Sequence, residues 1–173
     1  MSYKKFSAMI MTSTILMFVM MYLNTYDMSH IWFSEARTYM ALYMGAGMAI
    51  IMLAFMLGMY KSRALNVSIF AISIIIFSVC VYLVRSQDAV ADESWMKAMI
   101  PHHSIAILTS ERANIDDPRV RELADEIIKA QRKEIKEMEW LIDDIAQNGI
   151  AASNQEAKER PVPKFKGQLN KGE

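Results

Sequence analysis

The chain has 173 residues, 53% of them hydrophobic, with 16 methionines, one cysteine, and 19 basic against 19 acidic side chains. This length excludes a large multidomain enzyme, a single cysteine excludes a disulfide framework or a cysteine zinc cluster, and zero net charge leaves no footprint for nucleic acid. Yet the charges are segregated: residues 1–87 hold only Lys4, Lys5, Asp27, Glu35, Arg37, Lys61, Arg63 and Arg85, and the other 30 follow. Methionine is segregated the opposite way, with 13 of the 16 at or before Met59.

Between Lys5 and Asp27 lie 21 uncharged residues, between Arg37 and Lys61 lie 23, and between Arg63 and Arg85 lie 21. At about 1.5 Å per helical residue each run covers roughly 30 Å, the hydrocarbon thickness of a bilayer. The pattern predicts an all-α protein with a membrane domain at 1–87 and spans near 6–26, 38–60 and 64–84. The first run continues through Phe18, Met21, Tyr22 and Leu23 without a small-residue cleavage site, so it reads as an uncleaved anchor.

Basic residues in short flanks are retained on the cytoplasmic side. Lys4, Lys5, Lys61 and Arg63 share one side, whereas Arg37 and Arg85 on the other are accompanied by Asp27, Glu35 and Asp88. The amino terminus is therefore expected in the cytoplasm and the chain after Arg85 outside. For a bacterial source this is an integral protein of the inner (plasma) membrane with a periplasmic or extracellular C-terminal domain. Tyr22, Tyr26, Trp32, Tyr39, Tyr60 and Tyr82 fit interfacial aromatic belts.

The second run places Met40, Met44, Met48, Met52 and Met56 at four-residue spacing. Each step of four turns about 40° on a helix, so the five smear over roughly 160°. Two explanations stand: a thioether ladder for a soft monovalent metal, or adaptable packing and lipid-facing side chains. Ala41, Gly45 and Ala49 form a row of small residues that admits close approach of another span. Cys80, inside the third run, reads as an inert buried thiol.

Residues 88–149 read as an exterior helical hairpin. The first helix should start near Asp88 or Asp92, either able to cap it, and fade around Asn114. Asp117 before Pro118 marks the start of the second. There Ala124, Ile128, Gln131, Ile135, Met138, Ile142 and Ile145 recur at spacings of four and three, forming one apolar seam, and Gly149 is the expected stop. Residues 150–173 hold little to bury and are expected as a flexible polar tail. Two helices cannot cover such a seam alone. The partner is either a second copy, giving a four-helix bundle by dimerisation, or the membrane portion; a homodimer is the favoured expectation.

The first exterior helix carries Met99, His102 and His103, with both imidazoles within 60° of the methionine. On the second, Gln131, Glu134 and Met138 fall within about 60° of arc. Imidazole binds several transition metals, whereas thioether sulfur selects copper(I) or silver(I), so this set leans toward copper. Glu134 and Gln131 could fix the imidazole tautomers, or Glu134 could ligate directly. A pair of adjacent histidines is more often a surface or interface feature. Pro101 either kinks the helix before the histidines or begins it. Asp27, Met28 and His30 make a third cluster on the exterior side, either a soft-metal pair or an ordinary interfacial loop.

The run Glu93-Ser94-Trp95-Met96-Lys97-Ala98-Met99-Ile100-Pro101-His102-His103-Ser104-Ile105-Ala106, with the later Gln131, Glu134-Ile135 and Met138, resembles the bacterial family catalogued as domain of unknown function 305. The resemblance covers roughly residues 88–145. It implies a ferritin-like four-helix architecture, export, and copper or silver handling, with Met99, His102, His103, Gln131, Glu134 and Met138 as the metal-site residues. A single copy of the motif, where longer soluble members have two, implies assembly of two chains. Three spans before one copy resemble a subgroup of the family.

The expectation is a membrane-anchored cell-envelope protein that binds copper or silver for metal homeostasis or resistance. The alternative is a structural or interaction module whose hairpin oligomerises or docks on another envelope protein. No enzyme is expected: a diiron oxidase would need a Glu-x-x-His arrangement, and neither His102 nor His103 has a glutamate three residues before it. Besides the lipid bilayer, the expected partner is a homodimer or higher homo-oligomer.

Overall fold

The computed structural model describes residues 2–169, which form six α-helices and no strand. They are α1 (Tyr3–Met20), α2 (Glu35–Phe55), α3 (Arg63–Ser86), α4 (Asp92–Arg112), α5 (Pro118–Asn148) and α6 (Asn154–Glu159). The chain divides into two compact units. One takes the residues up to Leu23 with Ser34–Val90; the other takes Asn24–Phe33 with the residues from Ala91 onward.

In the first unit α2 packs against both α1 and α3. Ala41, Gly45, Ala46 and Ala49 are buried on α2, so the expected row of small residues is the contact face. A Cβ on Gly45 would lie 2.1 Å from Thr14 Oγ1, which shows how closely α1 approaches. At one end Phe6 meets Tyr60 edge-on at 5.5 Å, and the Tyr3 hydroxyl donates to Asn66 Oδ1 at 2.8 Å. At the other, buried Arg37 donates to the Met21 carbonyl and stands 4.6 Å from the Tyr22 ring. Thus α1 runs antiparallel along α2, from the turn after α2 to the start of α2. Ser34 and Ser62 cap α2 and α3, their hydroxyls accepting from Arg37 N and Leu65 N.

Among the described residues two helices, Glu35–Phe55 and Arg63–Ser86, are long and apolar enough to cross a membrane. The expected first span falls short for a physical reason. Its helix holds Lys4 and Lys5 in the first turn, with Ser and Thr at 12–14, and ends at Met20, leaving Tyr22 and Leu23 in turns.

In the second unit α4 and α5 form the expected hairpin. Asp117 caps α5, accepting from Arg119 N at 2.9 Å, with Pro118 in the first turn; α5 ends at Gly149, whose φ of 77° suits a residue without a Cβ. The start of α4 differs from expectation: Ala91 holds the cap position with no side-chain bond, and Asp92 and Glu93 lie inside the first turn, where they favour the helix dipole. Helix α4 runs unbroken through buried Pro101, so it does not begin there.

The seam closes as a core of Met96, Ile100, Ile107, Ile128, Ile135, Met138 and Ile142. Tyr26 and Trp32, from the loop between α1 and α2, pack against it, as does Leu169. The segment expected as a flexible tail folds back along α5 as far as Leu169. Arg160 bonds Asp144 at 2.7 Å and the Gly149 carbonyl at 3.2 Å. Arg132 Nη1 then donates to the carbonyls of Gln168 at 2.9 Å and Leu169 at 2.5 Å. Apart from the Asp144 pair these are bonds to backbone oxygens, which composition cannot reveal. The tail residues from 170 lie outside the described residues.

Two substitutions test these contacts. Gly45→Val should destabilise the full chain by about 1–3 kcal/mol through overpacking, and adding Thr14→Ala should restore part of the loss, read from melting in detergent. A Cβ at Gly167 would lie 1.7 Å from the Lys129 carbonyl oxygen. Gly167→Ala should therefore lift the strap and speed proteolysis within 160–169, leaving cleavage elsewhere unchanged.

Candidate metal centre

His103 and Glu134 are brought together across the hairpin, with Nδ1 3.2 Å from Oε2. The two groups are not aligned for a hydrogen bond, and Nδ1 is buried with no hydrogen-bond partner. Met99 lies one turn before His103 and Met138 one turn after Glu134. In an antiparallel pair a step of four back along α4 matches a step of four forward along α5, so the methionines fall at the same level. Both belong to one apolar cluster, Met138 as a buried member and Met99 packed against it.

The other two expected residues stand differently. Gln131 is half-buried, one turn before Glu134 on α5. His102 is exposed, on the flank of α4 away from the core. Adjacent residues on a helix differ by about 100°, so only one of two neighbouring histidines can face a partner helix.

Burial lowers the His103 pKa below its ordinary value; Glu134 opposes this and His102 adds to it. The ring is therefore neutral at pH 7, the form that ligates metal. Among the described residues no three His, Cys, Asp or Glu side chains gather into a group able to hold a metal ion. What remains is one imidazole, one carboxylate and two thioethers, a set suited to a soft ion.

In the loop cluster Asp27, Met28 and His30, the two polar side chains are engaged with serines. Asp27 Oδ1 accepts from the backbone and hydroxyl of Ser29, both at 3.0 Å, and Met28 is 79% exposed. His30 Nδ1 lies 2.9 Å from the Ser104 hydroxyl, which also accepts from Tyr26 N at 2.7 Å. Ser104 is fully buried, so the loop supplies the partners that its hydroxyl requires. Arg132 Nη2 reaches both Glu111 and the Tyr26 hydroxyl. Tyr26, Asp27, His30, Arg132, Lys136 and Glu139 border a half-open cavity of about 280 Å³. Burial, with Asp143 and Asp27 nearby, raises the Glu139 pKa, and Lys136 works against it.

Sequence reasoning missed Ser104, Arg132 and Glu139. Ser104 had a signal, a small polar residue on the apolar face of α4. Arg132 and Glu139 had none, since a charge beside a seam is usually solvated.

The fold and this cluster define a class: an apolar helical unit joined to a helical hairpin whose core interrupts its aliphatic seam with imidazole, carboxylate and thioether groups. Residues 82–164 match the family described as Domain of unknown function (DUF305). An uncharacterized protein of Acanthamoeba polyphaga mimivirus is 33% identical over 145 residues, covering 80% of this chain and 93% of that relative. The chain belongs to the DUF305 family. No solved structure matches it.

The His103 environment fixes a pH response. As pH falls below the ordinary value of 6.5, the unfolded chain binds a proton before the buried ring does, so folding stability drops. Melting temperatures between about pH 7.5 and about pH 5 should fall in the native chain, and His103→Gln should flatten that fall.

Proposed function

We propose that this protein is a membrane-anchored member of its family whose exterior hairpin binds copper(I) or silver(I), serving metal homeostasis or resistance at the cell envelope. The observation that carries this is the buried His103 Nδ1, without a hydrogen-bond partner, 3.2 Å from Glu134. Met99 and Met138 are the soft donors one turn away. A bound ion would supply the missing partner for Nδ1, and Glu134 would balance its charge. Because the ring is already neutral, no proton need leave it before an ion binds.

Membrane anchoring is supported by the exposure of the apolar helices: only 28% of the apolar stretch of α2 and 11% of that of α3 is buried. A core helix of a water-soluble fold would be buried over most of its length. We count α1 as a third crossing, since it runs alongside α2 from end to end. Lys4, Lys5, Lys61 and Arg63 put the turn after α2 on the cytoplasmic side and the hairpin on the opposite face. In a bacterium that face is periplasmic or extracellular. The ferritin-like bundle formed by two chains remains the proposed assembly.

The second reading, a module without metal that oligomerises or docks on an envelope protein, is favoured by one observation. The described residues gather no three His, Cys, Asp or Glu side chains. Competition titration of the full-length protein in detergent, with a chromophoric copper(I) chelator, separates the two. The native chain should bind, and His103→Ala and Met138→Leu should each weaken that hairpin site by about tenfold or more. Unchanged affinity in both variants would overturn the metal site and leave the docking module.

A further inference from the structure

The hairpin has two broad flanks, and one of them is covered by the chain's own loop and strap. On that flank Ser104 receives Tyr26 N and meets His30, Lys97 Nζ stands 6.0 Å from the centre of the Trp32 ring, and Arg132 holds the strap. Met99 lies five residues before Ser104, about 140° round α4, and so belongs to the other flank. There the apolar side chains stay open: Trp95 is 50%, Val120 48% and Leu123 56% exposed. On α5, Val120, Ile127, Glu134, Met138 and Ile145 recur at spacings of seven and four, which keeps them within about 40° of arc. Glu134 is the one charged side chain in that arc between Val120 and Ile145.

This flank has the size and composition of a contact surface. At about 1.5 Å per residue the stripe is roughly 38 Å long, and two helix widths of about 10 Å make an area on the order of 700 Å², close to what each side of a stable interface buries. An open apolar surface of that extent marks a site of association. His103 and Glu134 meet in the middle of the stripe, and their site opens onto it: the His103 side chain is 16% exposed and that of Glu134 45%. When two such flanks pack face to face with two-fold symmetry, the dyad lies in the plane between them, either along the helices or across them at mid-stripe. Both directions bring the central groups of the two copies to one level. With the dyad along the helices, α4 of each chain lies on α5 of the other, which makes every neighbour antiparallel as in up-down-up-down bundles.

His102 then has a function that a single chain denies it. It is exposed, three residues after Met99, on the same flank of α4. Glu134 of its own chain is already met by His103, and about 100° of rotation separates the two imidazoles. Among the described residues of one chain no three His, Cys, Asp or Glu side chains gather into a group able to hold a metal ion. A second copy adds a nitrogen donor beside the exposed carboxylate, and the two-fold makes the exchange reciprocal.

We propose that the open flank packs on the same flank of a second copy, and that each soft ion is held between the chains, by His103 and Glu134 of one and the partner's His102. This shared site rests on the copper(I) or silver(I) reading of the hairpin and gives it a subunit geometry: two equivalent sites per dimer, neither complete in a monomer. Met99 and Met138 remain its thioether donors.

The test uses the full-length protein in detergent, with copper(I) as the probe, a chromophoric chelator as competitor and light scattering for the mass. The native chain should be a dimer that binds one ion per chain. Val120→Asp/Leu123→Asp puts charge on the open flank, outside the site and near the start of α5 where the helix dipole favours it. That variant should be monomeric and bind copper(I) about tenfold or more weakly, and His102→Ala should bind as weakly while staying dimeric. The deciding sample pairs a His102→Ala chain with a His103→Ala chain, isolated as a heterodimer through two different tags. Each mutant homodimer lacks both sites, whereas the heterodimer rebuilds one, so it should bind one ion per two chains with native affinity. A heterodimer as weak as its parents would overturn the shared site, as would native affinity in His102→Ala or native mass in Val120→Asp/Leu123→Asp. In those cases weakened binding by His103→Ala keeps the hairpin site within one chain, whereas native affinity in His103→Ala overturns the metal reading itself. A monomeric native chain would also overturn the shared site and assign the open flank to lipid or to another protein.

Discussion

The hairpin has more apolar seam than two helices can cover, and the second unit is organised around supplying the missing cover. Burial of apolar area is the main favourable term in folding, and two helices leave much of each stripe in water. Here the cover comes from one loop and one strap. Asn24–Phe33 brings Tyr26 and Trp32, the returning chain brings Leu169, and both lie against the core that α4 and α5 share. Polar bonds hold these irregular pieces where the regular helices cannot. Ser104 receives Tyr26 N and meets His30, while Arg132 joins Glu111, Tyr26 and the carbonyls of Gln168 and Leu169. One guanidinium thus satisfies partners from three separate stretches of chain, using the planar fork that lysine lacks.

This arrangement explains why the two histidines of α4 and the one in the loop have different fates. His102 faces outward, His30 is engaged with Ser104, and His103 faces α5 with its Nδ1 unsatisfied. A buried polar nitrogen without a partner is unfavourable. A nearby carboxylate out of hydrogen-bond alignment relieves this only in part. Such a group in an otherwise aliphatic seam is the kind of local conflict that a functional site retains. The two methionines lie one turn further along the same core without adding another charge.

The apolar unit solves a different problem, close approach of helices along a face of small residues. Gly45 and its alanine neighbours let α1 reach α2, and Thr14 returns its hydroxyl to the Ile10 carbonyl at 2.8 Å. At the end near Tyr60, the Tyr3, Ser62 and Asn66 bonds tie the start of α1 to the turn after α2. The small-residue row and the row of methionines share one helix because a step of one residue rotates by about 100°.

Run length, capping residues and periodicity by themselves determined α1 to α5, because a stripe repeating at spacings of three and four has only one way to be buried. They placed α5 from Asp117 to Gly149, its seam residues, the small-residue face of α2 and the pairing of α4 with α5. They set Met99 and His103 one turn apart on α4 and Glu134 and Met138 one turn apart on α5. Tertiary structure decided which histidine faces the partner helix, where α1 ends, and what covers the hairpin. Those outcomes turn on bonds between a side chain and distant backbone oxygens or hydroxyls, such as Arg132 with Leu169 and His30 with Ser104. Such bonds leave no repeat in the sequence, and they form only once the chain has brought the partners together.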